Sequence, residues 1–116
     1  MNDPRTELLL EDMLEYARAA IRLVKDKNVD QFVEDLTLVL ATTRAVEIVG
    51  EAASQVDANV QATMPTLPWR EAISMRHKLI HGYRRLDPAI IFKTVRDDFP
   101  GLIAELERLL KEGRRS

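Results

Sequence analysis

Apolar side chains recur at steps of three and four residues along almost the whole chain, and this spacing restricts the possible folds more than any other feature. It places the apolar residues on one face of an α-helix. No segment alternates apolar and polar residues in the manner of a half-buried β-strand. The pattern therefore predicts an all-α protein, an up-down bundle of four to five helices joined by short connections.

Two helices are predicted in the first half of the chain, over residues 4–27 and 30–60. Asp3 and Pro4 fit the start of the first helix, as its cap and first turn. The lack of a side chain at Gly50 would allow another helix to approach the second one closely. The second helix carries an apolar stripe that is expected to face the core, formed by Phe32, Leu36, Val39, Thr43, Val46, Gly50 and Ala53 and widened by Leu40, Ala45, Val49, Ala52 and Val56.

Two prolines within residues 64–68 interrupt the helical pattern, because proline cannot continue a helix. A third helix is predicted over residues 69–81. Gly82 fits its end, since glycine tolerates the left-handed conformation that often closes a helix.

A fourth helix is predicted from Asp87 and Pro88 onwards, again as a cap and first turn. Pro100 is expected to kink this helix or to split it. Residues 111–116 are expected to fray, as the ends of chains often do.

The size and composition of the chain fit one domain over residues 1–116. The sequence has no cysteine, which excludes disulfides and thiolate metal sites. No apolar run approaches the roughly 20 residues of a membrane helix. The polar start of the chain, residues 1–7, does not have the pattern of a signal peptide. A cytoplasmic location is therefore expected.

The charge of the chain is unevenly distributed along the sequence. The formal net charge is −2, which by itself argues against a nucleic-acid-binding protein. Residues 69–96, however, hold seven basic residues against two acidic ones. A local basic patch on an acidic body can attract a polyanion, because salt screens the more distant charges. A solvated helix face rich in lysine and arginine is the alternative interpretation.

Residues 76–83 gather the side chains that are best suited to chemistry. Both histidines of the protein, His77 and His81, lie here, flanked by Arg76 and Tyr83. Cleavage of RNA suits this set, because the ribose 2′-hydroxyl itself attacks the neighbouring phosphorus. Histidine can carry the proton and arginine can grip the phosphate in a bidentate manner. No metal ion is required for this chemistry.

Each of these residues also has a structural alternative. His81 could be a hydrogen-bonded core histidine, and Tyr83 an ordinary half-buried tyrosine. Arg76 could form a structural ion pair with Glu47 or Glu51 of the long helix. The two histidines, four residues apart, could bind a metal on one helix face. Two ligands are too few for a structural or catalytic site, so no metal is predicted.

The same segment resembles the Arg-x4-His-x-Tyr signature of HEPN-domain toxins of the HepT type, with Arg76, His81 and Tyr83 at the three motif positions. The resemblance extends to residues 45–53, which match a second-helix pattern ending in Gly-Glu-Ala. Residues 69–71 before the motif and 98–102 after it are also similar. The superfamily often has Asn or Asp directly after the arginine, where this chain has His77.

The resemblance implies a HEPN-like homodimer in which the Arg76 and His81 residues of two subunits face each other across an RNA-cleaving cleft. It also implies a minimal nucleotidyltransferase antitoxin that transfers AMP from ATP to Tyr83 and so blocks the cleft by bulk and negative charge. The function predicted on this basis is that of a metal-independent endoribonuclease toxin without a cofactor, from a type II/VII-like toxin–antitoxin pair.

The predicted site residues divide by role. Arg76 and His81 are the catalytic candidates, and Tyr83 is the candidate for AMPylation. Further candidates are basic neighbours: His77 and Lys78 for catalysis or phosphate binding, and Arg84 and Arg85 for contacts with RNA.

Two other classes of function stay open at the level of the sequence. One is a non-catalytic partner of a nucleotidyltransferase, which binds a nucleotide or presents a substrate and uses Arg76 and His81 only to grip phosphate. The acidic net charge suits this class. The other is a dimeric scaffold without chemistry.

Overall fold

Helices account for nearly all of the chain that a computed structural model describes, residues 3–82 and 87–115. This described part contains no β-strand, so the all-α prediction is confirmed. The structure adds two short helices to the four long ones. The helices in chain order are α1 Pro4–Val24, α2 Val29–Glu34, α3 Leu36–Gln55, α4 Ala58–Gln61, α5 Trp69–His81 and α6 Pro88–Arg115.

Short polar side chains begin several of these helices by accepting hydrogen bonds from backbone N–H groups that have no partner within the helix. Asp3 accepts from the backbone N–H of Arg5 at 3.1 Å. Asn28 and Gln31 form a reciprocal capping box at the start of α2. The predicted cap of α6 is confirmed, since the Asp87 carboxylate accepts from the N–H of Ala89 at 2.9 Å.

The predicted second helix over residues 30–60 is wrong in extent, because the chain breaks at Asp35 and the helix that follows ends at Gln55. The backbone of Asp35 is extended there, with φ −101° and ψ 94°. Its carboxylate accepts from the N–H of Leu38 at 3.0 Å and starts a new helix. The break removes Leu36 and Leu40 from the buried stripe, and their exposed fractions are 69% and 61%.

Ion pairs fix the relative direction of α1 and α6. Arg18 of α1 lies 2.5 Å from Glu107 of α6. Arg114, further along α6, contacts Glu7 at 3.1 Å and Glu11 at 2.6 Å, both nearer the start of α1. Residues later in α1 therefore contact residues earlier in α6, so the two helices are antiparallel.

The direction of α3 follows from a contact with the start of α1. Arg5, at the start of α1, donates to the carbonyl of Gln55 at the end of α3, at 3.2 Å. Helix α3 therefore also runs antiparallel to α1, and α3 and α6 begin at the same end of the bundle.

The core lies between α1, α3 and α6 and is closed by α2 near the start of α6. Phe32 of α2 is fully buried, with its ring centroid 5.3 Å from that of Phe92 in α6. Helix α6 contributes seven buried residues: Ile91, Phe92, Val95, Phe99, Leu102, Leu106 and Leu110.

Helix α6 differs from its prediction at two places. It runs without a break through Pro100, so the predicted split does not occur. It also continues to Arg115, so the predicted fraying from Lys111 is wrong. The reason lies in Arg114, whose side chain is hydrogen-bonded to two glutamates of α1 and ties the last turn to the bundle. Within residues 3–82 and 87–115, no helix combines the length and apolar character needed to cross a membrane.

Candidate active site on helix α5

Helix α5 occupies residues 69–81, as the sequence predicts. Before it, the indole N–H of Trp69 donates to the carbonyl of Met64 at 2.9 Å and holds the proline-rich approach. At its end the N–H of Gly82 donates to the carbonyl of Lys78 at 2.8 Å. The predicted left-handed conformation of Gly82 is wrong, because its φ is −122° and the backbone keeps to the right-handed side.

Only one residue of α5 is buried, Leu79, whose exposed fraction is 3%. Leu79 therefore anchors this helix in the core. The rest of α5 is exposed or half-buried. A helix held in this way leaves most of its polar residues in contact with solvent.

Gly50 of α3 is the place where α5 comes closest to the bundle. A Cβ atom added at Gly50 would lie 2.6 Å from the carbonyl oxygen of Ala72, and closer still to the Cβ of Arg76. Real Cβ atoms do not approach other atoms so closely. The predicted close approach at Gly50 is therefore confirmed, and its partner is the helix that carries the candidate catalytic residues.

Arg76 forms an ion pair with Glu51, the residue next to Gly50. Its Nε atom lies 2.5 Å from Glu51 Oε2. The Nε–H group is buried and its direction gives no hydrogen bond to a described residue, so the contact is electrostatic. The side chain of Arg76 keeps 30% of its surface exposed. Of the two predicted partners the structure selects Glu51, whereas Glu47 lies 3.7 Å from Arg44.

Glu51 is held from both sides, and this keeps it ionised. Its Oε1 accepts a hydrogen bond from the side-chain amide of Gln55 at 2.9 Å, one turn further along α3. This hydrogen bond, together with the positive charge of Arg76, holds the pKa of Glu51 below its usual value. An ionised Glu51 in turn fixes the position of the Arg76 guanidinium.

The two histidines of α5 lie side by side on its exposed surface. The ring centroids of His77 and His81 are 4.5 Å apart, with an angle of 52° between the rings. Both residues are exposed, so the alternative of a buried core histidine at position 81 is wrong. Solvent exposure makes both rings accessible to a substrate.

The candidate residues point to different sides of α5. A helix advances about 100° per residue, so Arg76 and His81 lie about 140° apart around its axis. Lys78 lines a groove of about 750 Å³ between α3, α5 and α6, whose floor includes Met75 and Phe99. The fold therefore brings the two histidines together but does not bring Lys78 to Arg76.

Three predicted residues, Tyr83, Arg84 and Arg85, lie outside the described residues. In the described part the sequence reasoning missed Gln55, the hydrogen-bond donor that holds Glu51. Its signal was the spacing of Glu51 and Gln55, since residues four apart are neighbours on a helix surface. The sequence also did not predict that Arg76 packs against Gly50.

One peripheral helix of this small bundle carries an arginine and two exposed histidines, side chains that can grip a phosphate and carry protons. Comparison with known proteins places the chain more narrowly. Residues 13–109 match the family model described as Ribonuclease HepT-like.

Curated relatives agree with this match. A protein of Thermococcus cleftensis, named as a probable ribonuclease HepT, is 35% identical over 88% of this chain and 93% of its own length. A protein of Methanocaldococcus jannaschii, named as a candidate RNase, is 32% identical over 92% of this chain and 98% of its own length. No solved structure matches the chain. The chain belongs to the HepT-like ribonuclease family, which confirms the resemblance on which the predicted function was based.

Proposed function

We propose that this protein is a metal-independent endoribonuclease toxin that acts as a homodimer. The proposal rests on the arrangement of Arg76 and His81 on α5, in a chain that belongs to a ribonuclease family. Arg76 is held by Glu51 and partly exposed, while His81 is exposed one turn and a half further along the helix. A phosphate-binding group and a proton carrier are thus presented to solvent on one rigid helix.

The proposed reaction is a transesterification within the RNA. A histidine takes the proton of the ribose 2′-hydroxyl, whose oxygen forms a bond to the adjacent phosphorus. The bond from phosphorus to the 5′-oxygen breaks, and that oxygen takes a proton from a protonated imidazole. The products are a 2′,3′-cyclic phosphate and a free 5′-hydroxyl. Arg76 stabilises the negative charge that develops on the phosphoryl oxygens.

We propose a homodimer because one chain does not bring its own His81 to a phosphate bound at Arg76. Within one helix Arg76 and His81 point about 140° apart, so a phosphate bound to Arg76 is poorly placed for the His81 of the same chain. A facing copy would bring its own His81 to that phosphate and supply the second proton carrier. Large apolar side chains exposed on α3 and α5 support a contact with another chain, with Leu36 69%, Leu40 61% and Ile80 39% exposed.

Regulation is proposed to act through Tyr83, with a minimal nucleotidyltransferase as antitoxin in a type II/VII-like pair. Tyr83 follows Gly82, the residue that ends α5, and so stands one position beyond the helix of the candidate site. An AMP group there would add negative charge beside the phosphate-binding residues and repel RNA. Arg84 and Arg85 are proposed to contact the RNA backbone, and the cytoplasmic location stays a prediction.

Cleavage by the purified protein in the presence of EDTA tests the proposed reaction. We expect a labelled RNA to yield fragments that end in a 2′,3′-cyclic phosphate, and Arg76→Ala or His81→Ala to reduce the rate by at least about 100-fold. Arg18→Ala is the matched control, because Arg18 also lies 2.5 Å from a glutamate but on α1. Full cleavage by both site variants, or cleavage that requires an added metal, contradicts the proposal.

Co-expression with a neighbouring nucleotidyltransferase tests the regulation. The intact mass of the protein is expected to rise by whole AMP units, and Tyr83→Phe is expected to prevent the increase. Modification at another residue would refute the assignment of Tyr83. If the purified chain binds AMP or ATP but never cleaves RNA, the alternative of a non-catalytic partner of the nucleotidyltransferase replaces the proposed enzyme.

A further inference from the structure

The two histidines of α5 are arranged as a chelating pair. Their ring centroids lie 4.5 Å apart, and both rings are exposed on the same side of a continuous helix. Residues four apart on a helix lie one turn above each other, so the backbone brings the two imidazoles within reach of one ion.

Imidazole nitrogen is a preferred ligand of zinc, nickel and copper ions, and it binds zinc at about 2.0–2.1 Å. Two histidines four apart on one helix face are also the pair that holds zinc in helical metal sites. Among residues 3–82 and 87–115, no group of three or more His, Asp or Glu side chains is placed to surround an ion. An ion on this pair would therefore complete its coordination with water.

The position of the pair on α5 favours a cation. His81 lies in the last turn of the helix, where backbone carbonyl groups give the helix end a partial negative charge. Two basic residues flank His77: the positive charge of Arg76 is offset by Glu51 at 2.5 Å, and Lys78 lines the groove between α3, α5 and α6. The repulsion that Arg76 would exert on a metal ion is thereby reduced.

We propose that His77 and His81 bind a divalent transition-metal ion, such as Zn²⁺, and that binding silences the ribonuclease. The ion occupies the imidazole lone pair that His81 needs to accept a proton, so a metal-bound His81 cannot act as a base. The metal is an inhibitor here and not a cofactor. The metal site is inferred from the geometry of α5, whereas the loss of activity rests on the proposed ribonuclease function.

The composition of the chain allows a bound metal to be assigned to one pair of residues. The sequence has two histidines and no cysteine, so every imidazole ligand belongs to this pair. We would titrate the untagged protein with Zn²⁺ by calorimetry and with Cu²⁺ by electron paramagnetic resonance. The expected results are one saturable site per chain and hyperfine coupling to two nitrogen atoms.

Substitutions decide whether the pair is the site. His77→Gln and His81→Gln should each abolish the saturable site, while Arg70→Gln on the same helix should retain it. Thermal melting of each variant without metal shows whether its fold is intact. Equal affinity in the wild type and both histidine variants, or coupling to a single nitrogen, overturns the proposed site.

Cleavage assays test the silencing separately. Wild-type cleavage should be lost as Zn²⁺ rises, with its midpoint at the dissociation constant found by calorimetry, and should return on adding EDTA. The same concentration of Mg²⁺, which prefers oxygen ligands, should leave cleavage unchanged. Binding without loss of cleavage refutes the silencing alone. Binding by a protein that never cleaves RNA refutes the proposed function and leaves the metal site established.

Discussion

Helices α5 and α6 are held to the bundle in opposite ways. Helix α6 buries seven residues along its length, whereas α5 buries Leu79 alone. Further contacts of α5 with the bundle come from half-buried residues, from the close approach at Gly50 and from the ion pair between Arg76 and Glu51. The comparison teaches that the helix with the candidate site lies on the surface of the bundle, which keeps its functional side chains exposed.

The largest effect is expected from removing the apolar anchor of α5. Leu79→Ala should lower the free energy of unfolding by about 2–5 kcal/mol, because a buried leucine leaves a cavity. Leu106→Ala in α6 should cost a similar amount, since Leu106 is fully buried. Urea unfolding measures both losses.

Hydrogen exchange should separate these two leucine variants. In Leu79→Ala the amides of α5 should exchange faster than those of α6, because no second buried residue holds α5. In Leu106→Ala no such local effect is expected, as six other buried residues retain α6. The same exchange pattern in both variants would contradict the proposed difference between the helices.

A smaller but more local effect is expected at Gly50. Gly50→Ala should destabilise the fold by about 1–3 kcal/mol, because its Cβ would force α5 away from α3. It should also reduce RNA cleavage by displacing Arg76. Thermal melting and the RNA cleavage assay measure the two consequences.

Gly101→Ala is the control for this substitution. A Cβ added at Gly101 would meet nothing within 4 Å. Alanine there should stabilise α6 by about 0.5–1 kcal/mol, because glycine is a poor helix former. A Gly50→Ala variant as stable and as active as Gly101→Ala would show that α5 does not depend on the close contact.

The smallest effect on stability is expected from Glu51→Gln, because the ion pair with Arg76 is partly exposed to solvent. Cleavage should fall more than stability, since Arg76 loses the charge that positions it. Glu107→Gln, which removes the partner of Arg18, should leave cleavage unchanged.

The pH dependence of stability gives a second measure of Glu51. Its pKa is lowered in the folded state, so its stabilising contribution is complete above the usual value of 4.5 and is lost as pH falls through the lowered pKa. Acid denaturation of Glu51→Gln should lack this component. Identical acid transitions of the variant and the wild type would contradict the role given to the carboxylate.

The sequence predicted the parts of the fold that depend on local patterns. The bounds of α5 and the caps at Asp3 and Asp87 follow from nearby proline, glycine and aspartate residues. The prediction of the second helix failed at Asp35, because apolar residues at helical spacing continue on both sides of the break. A periodic apolar pattern does not show that a single aspartate ends one helix and caps the next one.

The ends of α6 show a failure of another kind. Residues 111–115 read as a fraying tail, but in the structure they are helical and Arg114 contacts Glu7 and Glu11. These partners lie about 100 positions away in the chain. No local pattern contains such a contact.

The sequence by itself determined the all-α class, the helix that carries Arg76, His77 and His81, and the relation to a ribonuclease family. These properties depend on residue type and short spacing, which a linear chain displays in full. The tertiary structure decided that Glu51 and not Glu47 holds Arg76, and that the space left by Gly50 admits α5. It also decided that the two histidine rings are exposed as a pair. The packing of α3 against α5 selects one ion-pair partner among several that helical spacing allows, and only folding sets that packing.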